Sequence, residues 1–134
     1  MKQLIIGGVI IVAGIAGLIA LQSNKTTPAA TTKTNSLSMA TINSDVASGG
    51  QLIDVRTPAE YRQGHIKGSQ NLPLQSIEAN QLPGTNKDKP IYLYCRSGNR
   101  SAQAAALLKQ AGYQNVIDLG AMSQVQSLGG TVTS

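Results

Sequence analysis

The chain has 134 residues, enough for one domain, and a formal charge of +5. Three of the eleven basic residues, Lys2, Lys25 and Lys33, lie early in the chain; from residue 39 onward eight basic and six acidic side chains leave only +2. With four tyrosines and no Phe or Trp beside so small a charge, a nucleic-acid-binding face is excluded. A single cysteine likewise excludes an intramolecular disulfide and a cysteine-based zinc cage.

Residues 1–3 form a short flank carrying Lys2, and residues 4–21 follow with no charged or strongly polar side chain. As a helix this run spans about 27 Å, close to the thickness of a bilayer core, so it reads as a transmembrane anchor. A signal peptide is the rival reading, but its apolar core is usually about 7–15 residues, and no clean A-x-A site follows here. The expected location of the rest of the chain is the extracytoplasmic (periplasmic) side, as a soluble exported form if the segment is cleaved. Residues 22–37 are rich in Thr, Ser, Ala and Asn and read as a flexible linker, because they carry too little apolar surface to offset ordering the backbone.

Residues 38–134 read as one small α/β domain. Residues 39–42 are expected to open it as a short strand and 43–47 to continue as a brief helix ended by Gly49-Gly50. Leu52, Ile53 and Val55 mark a strand over 51–55. Thr57-Pro-Ala-Glu60 then has the pattern of a helix start: a cap, proline at the first helical position, and glutamate three residues after the cap. Loop and a short strand follow over 66–72, a short helix over 73–81, and a break at Pro83-Gly84. A strand over 91–94, a helix over 101–110, a strand over 115–119 and a helix over 121–128 complete the chain. Strands alternating with helices at this spacing predict a small, mostly parallel sheet of about five strands with helices on both faces. Functional sites in such sheets lie beyond the carboxyl ends of the strands.

Cys95 falls at such an end, between the strand over 91–94 and the next helix. Backbone N–H groups converge there and the helix dipole is positive, which favours thiolate over thiol. Arg96 and Arg100 add positive charge, Ser97 and Ser101 offer hydroxyl donors, and Gly98 permits a positive φ. A buried, inert cysteine is the plain alternative for a lone thiol, but the surrounding Arg-Ser-Gly-Asn-Arg-Ser argues against it. Asn99 reads as a turn residue more than a substrate contact, and Ser101 equally as a helix cap or a donor. Arg56 is expected to pair with Glu60 across the strand–helix turn. His65, the only histidine, reads as structural, and Tyr92 and Tyr94 share one strand face as core residues.

Three segments in order resemble the rhodanese family of single-domain sulfurtransferases. They are Leu52-Ile-Asp-Val-Arg56 with Glu60-Tyr61 and Gly64-His-Ile-Lys-Gly-Ser69; Asn71-Leu-Pro73; and Cys95-Arg-Ser-Gly-Asn-Arg-Ser101. The resemblance implies a rhodanese-like fold and a Cys95 that takes sulfur from a donor such as thiosulfate and passes it, as a persulfide, to a thiol or cyanide. It implies substrate contacts from Arg96, Ser97, Gly98, Asn99, Arg100 and Ser101, and no metal or organic cofactor. The expected partners are a small sulfur donor and acceptor, with a protein donor or acceptor as the alternative in which the domain acts as a persulfide carrier. Cysteine phosphatases resemble the loop but place five residues between cysteine and arginine, whereas four separate Cys95 from Arg100, a ring suited to one sulfur atom. The chain departs from the family after its last strand, where Gly120-Ala121 replaces a Gly-Gly turn and no tryptophan follows.

Overall fold

A computed structural model describes residues 36–134. The expected anchor over 4–21 lies outside the described residues, as does all but the end of the expected linker; among the described residues no helix is long and apolar enough to cross a membrane. The elements run α1 (Met39–Ala47), β1 (Gln51–Asp54), α2 (Pro58–Gln63), β2 (His65–Ile66), β3 (Gln70–Asn71), α3 (Leu74–Glu78), β4 (Ile91–Cys95), α4 (Asn99–Gln110), β5 (Val116–Ala121), α5 (Met122–Ser127) and β6 (Val132–Thr133). Four strands form a parallel sheet in the order β3-β1-β4-β5, and β2 pairs antiparallel with β6 as a separate two-stranded ribbon. The main sheet therefore has four strands rather than five.

The strand expected over 39–42 is instead the first turn of α1. Ser38 caps it, its hydroxyl accepting from Thr41 N at 3.3 Å, and Met39 and Ile42, three apart, bury on one face. The cap and the helical spacing outweigh the β-branched pair Thr41-Ile42. The capping box at Thr57 forms as the sequence predicts: Glu60 N–H donates to Thr57 Oγ1 at 3.3 Å and Thr57 N–H donates to Glu60 Oε2 at 3.0 Å.

β4 sits inside the sheet and every one of its residues is buried. Its alternation sorts the core into two layers. Ile91, Leu93 and Cys95 face one way, with Ile53, Val55, Leu74, Ile77, Ala104, Ala105 and Leu108 of β1, α3 and α4 and the turns beside them. Tyr92 and Tyr94 face the other way, with Met39, Ile42, Leu119 and Val125 of α1, β5 and α5. Helices thus cover both faces, and α5 packs through fully buried Val125.

Candidate active site

β4 ends at Cys95, and the chain turns through Arg96 and Ser97, both exposed, into Gly98, which takes φ +98°. A Cβ at Gly98 would lie 3.5 Å from Gly120 Cα, an ordinary contact, so it is the left-handed backbone that favours glycine here. α4 starts at Asn99, and its period of buried positions, Ser101, Ala104, Ala105 and Leu108, holds the first turn against the sheet. Ser101 is therefore inside the first turn and not its cap. Asn99 is exposed, its side-chain oxygen accepting from Gln103 Nε2 at 3.0 Å.

The Cys95 side chain is fully buried. Gly98 N–H donates to Cys95 Sγ at 3.0 Å, and the Ser101 hydroxyl lies 3.6 Å away. Ser101 Oγ also lies 3.0 Å from Gly98 O and 3.4 Å from Gly120 O. This hydroxyl has two compatible settings. Beside a thiol it accepts S–H while donating to a carbonyl; beside a thiolate it donates to sulfur. Burial by itself pushes the thiol up, but the Ser101 N–H and hydroxyl and the N–H groups of Gly98 and Ser97 outweigh it and hold Cys95 below the ordinary thiol value.

The far wall comes from β5. Its register against β4 slips by one residue, Leu93 facing Asp118 but Tyr94 facing Gly120, so Leu119 is the extra residue of a bulge and Ala121 stands opposite Cys95. Gly120 has φ +76°, and a Cβ there would meet Gln124 Oε1 at 2.1 Å. Gln124 Oε1 accepts from Ala121 N at 2.8 Å, and Asp118 Oδ1 accepts from Gly120 N at 2.8 Å. No local signal in the sequence pointed to this wall beyond the Gly120-Ala121 turn itself.

Two expected pairings change partners. Arg56 does not pair with Glu60. Its guanidinium lies on Asp54, with Nη2 donating to Oδ2 at 2.6 Å and Nε at 3.0 Å from both carboxylate oxygens, and Nη2 also reaches Gly64 O at 2.6 Å. Asp54 is fully buried and Arg56 nearly so, and the two tie β1 to the end of α2. The pairing follows from reach: Arg56 folds back on Asp54, the last residue of β1, two positions before it. Glu60 instead takes Arg100, whose Nη1 and Nη2 donate to its two carboxylate oxygens at 2.7 and 2.8 Å. The guanidinium, the burial opposing it and the Thr57 donors together bring the Glu60 carboxyl down to about 2. Arg100 is expected from the sequence as a substrate contact; in this structure both of its terminal nitrogens are on Glu60.

His65 stacks on Tyr61 with ring centroids 3.7 Å apart, and its Nδ1–H donates to Tyr61 O at 3.0 Å, in keeping with a structural histidine. Tyr94 is core, as expected, and its hydroxyl also accepts from Ile66 N at 2.9 Å and meets Ser69 Oγ at 2.9 Å.

Among curated proteins, the chain is similar to a sulfurtransferase of Allochromatium vinosum, 46% identical over 70 residues that make up 51% of this chain and 63% of that one. It is similar to the thiosulfate sulfurtransferase PspE of Escherichia coli, 34% identical over 76 residues, 54% of this chain and 71% of that one. A third relative is the putative sulfur carrier protein YrkF of Bacillus subtilis, 40% identical over 70 residues, 51% of this chain and 36% of that one. The chain thus spans between 36% and 71% of the length of these relatives. Among solved structures, a rhodanese with anions from E. coli superposes with a TM-score of 0.54 at 30% identity, covering 63% of this chain and 98% of that one. Residues 38–127 match the family described as the rhodanese-like domain, and with that match over most of its length the chain belongs to the rhodanese-like domain family.

Proposed function

We propose that the protein is a sulfurtransferase that moves sulfane sulfur through a persulfide on Cys95. The observation that carries this reading is the Gly98 N–H on Cys95 Sγ at 3.0 Å, at the start of α4, in a chain of the rhodanese-like family. An amide-lined position at a helix N-terminus stabilises a sulfur anion, first the thiolate and then the persulfide. With thiosulfate as donor, the Cys95 thiolate attacks the outer sulfur, the S–S bond breaks, and its electron pair leaves with sulfite. Cyanide or a thiolate then attacks the outer sulfur of the persulfide and releases the Cys95 thiolate with thiocyanate or a new persulfide. Gly98, Ser97 and Ser101 hold the anion; Arg96 faces the donor.

The test is thiocyanate formation from thiosulfate and cyanide by the full chain. Turnover that disappears in Cys95→Ser, with a 32 Da addition to the wild-type protein after thiosulfate alone, is the expected result (the added mass is about one sulfur atom). No addition and no turnover would sink the reading.

A second reading is a persulfide carrier loaded by a protein partner, favoured by the complete burial of Cys95 and by the similarity to a putative sulfur carrier. Mass addition that requires a protein donor, with poor turnover of thiosulfate, would select it. For the remaining architecture we propose a flank at 1–3, a membrane anchor at 4–21, a linker at 22–37 and the catalytic domain at 38–134, on the extracytoplasmic side. Alkaline phosphatase and green fluorescent protein fusions after residue 134 test this; fluorescence without phosphatase activity reverses the orientation.

A further inference from the structure

The loop from Cys95 to Ser101 carries two arginines, and the structure treats them differently. Arg100 donates both terminal nitrogens to Glu60, so its charge is matched and its planar fork is occupied. Two ion pairs form among the described residues, Arg56 with Asp54 and Arg100 with Glu60. Arg96 belongs to neither, is exposed, and follows Cys95 directly in the chain. On the facing wall the Asp118 carboxylate accepts from Gly120 N–H. An incoming anion thus meets one uncompensated positive side chain in the loop.

We infer that Arg96 alone recognises the anionic donor, and that Glu60 is a positioning residue that keeps Arg100 neutralised and out of the donor's way. The inference rests on the sulfur-transfer reading for the chemical class of the donor, a small oxyanion bearing a sulfane sulfur. Glu60 reaches the loop from α2, and its carboxylate also completes that helix's cap through Thr57, so the geometry of the pair is fixed at both ends. A loop with a single free cation attracts a dianion less strongly than one with two, and releases the product sulfite more readily.

Charge-selective alkylation of Cys95 in the full chain tests this without requiring any sulfur transfer. Iodoacetate and iodoacetamide are close in size and differ in charge. Cys95 is buried, so both reagents wait on the same opening of the loop, and the ratio of their rates cancels it. With that ratio expressed relative to free cysteine, Arg96→Gln should lower the preference for iodoacetate about fivefold, while Arg96→Lys keeps most of it. Glu60→Gln should raise the preference by freeing Arg100. The paired exchange Glu60→Gln with Arg100→Gln should leave it within about twofold of the wild type, because a neutralised pair has been replaced by a neutral one. A paired exchange that loses the preference as fully as Arg96→Gln, or an Arg96→Gln chain that retains it, would overturn the assignment. If the paired exchange does not unfold cooperatively, the Glu60→Gln chain decides instead: an unchanged or smaller preference overturns the proposal. In the thiosulfate assay Arg96→Gln should raise KM about tenfold, more than it lowers kcat. A wild type that neither gains sulfur mass from thiosulfate or a protein donor nor turns thiosulfate over, yet gives the alkylation pattern above, overturns the sulfur-transfer reading and leaves Arg96 as the anion-recognising group.

Discussion

The Ser101 hydroxyl stands 3.6 Å from Cys95 Sγ and 3.0 Å from the Gly98 carbonyl, so one rotating proton serves either the sulfur or the backbone. Ser101→Ala removes the setting that supports the thiolate but leaves the Gly98 N–H in place. The pH profile of iodoacetamide reaction should have its midpoint below that of an ordinary cysteine in the wild type, because the amide and hydroxyl donors outweigh burial. In Ser101→Ala that midpoint should rise, and the rate near neutrality should fall by about tenfold, the size of a lost hydrogen bond to a charged group. A wild-type midpoint at or above that of free cysteine would remove the basis for a reactive thiolate.

The Glu60 carboxyl, held at about 2 first by Arg100 and further by Thr57, makes stability depend on pH in a defined window. A carboxyl whose folded value lies below its unfolded value of 4.5 contributes fully above the unfolded value and loses its contribution as pH falls through the folded one. The loss therefore falls between pH 5 and 2, roughly. With both side chains about a quarter exposed, solvent screening reduces the effect to about 1 kcal/mol. Urea unfolding at pH 6 and pH 3 should show the wild type losing about that much more than Glu60→Gln. Equal losses in the two proteins would mean that the pair contributes nothing.

Asp54 and Arg56 form the other pair, and its energetics differ because Asp54 has no exposure at all. Asp54→Ala strands a buried guanidinium and should cost about 3–5 kcal/mol in denaturant unfolding. The exposed-side pair should be far less costly to break, about 1 kcal/mol for Glu60→Ala. If the two substitutions cost the same, the partner exchange between Arg56 and Arg100 described above is wrong.

Tyr94 joins the core to the segment between α2 and β3. Its hydroxyl accepts from Ile66 N–H and shares a proton with Ser69, in a fully buried setting that also raises the phenol well above its usual value, chiefly through desolvation. Tyr94→Phe leaves the Ile66 N–H without its acceptor and should destabilise the domain by about 1–3 kcal/mol. The alkylation rate of Cys95, next in the chain but on the opposite sheet face, should be nearly unchanged. A large change in that rate would show that the tyrosine layer also shapes the loop.

Local pattern was enough for much of this protein. The apolar run ending at Cys95, the Thr57 cap with Pro58 and Glu60, and the glycine at 98 each state their structure within a few residues, because strand period, capping and left-handed backbone are short-range physics. The residues from 95 to 101 likewise placed the cysteine at a strand end, before a glycine turn whose amide meets the sulfur. What lies beyond short range was decided by the fold. Glu60 and Arg100 are forty residues apart, and Gly120 reaches Gly98 only because β5 lies beside β4 with an extra residue at its bulge. β3 falls within the short strand expected over 66–72, but the two-residue strands β2 and β6 carry too little periodicity to be placed from sequence, and the strand expected over 39–42 gave way to a helix because of its serine cap and a buried face that extends to Ile42. Sequence alone pointed to Cys95 and the turn that follows it; only the tertiary structure assigned each charge its partner, because salt bridges form between whichever groups the packed elements bring within reach.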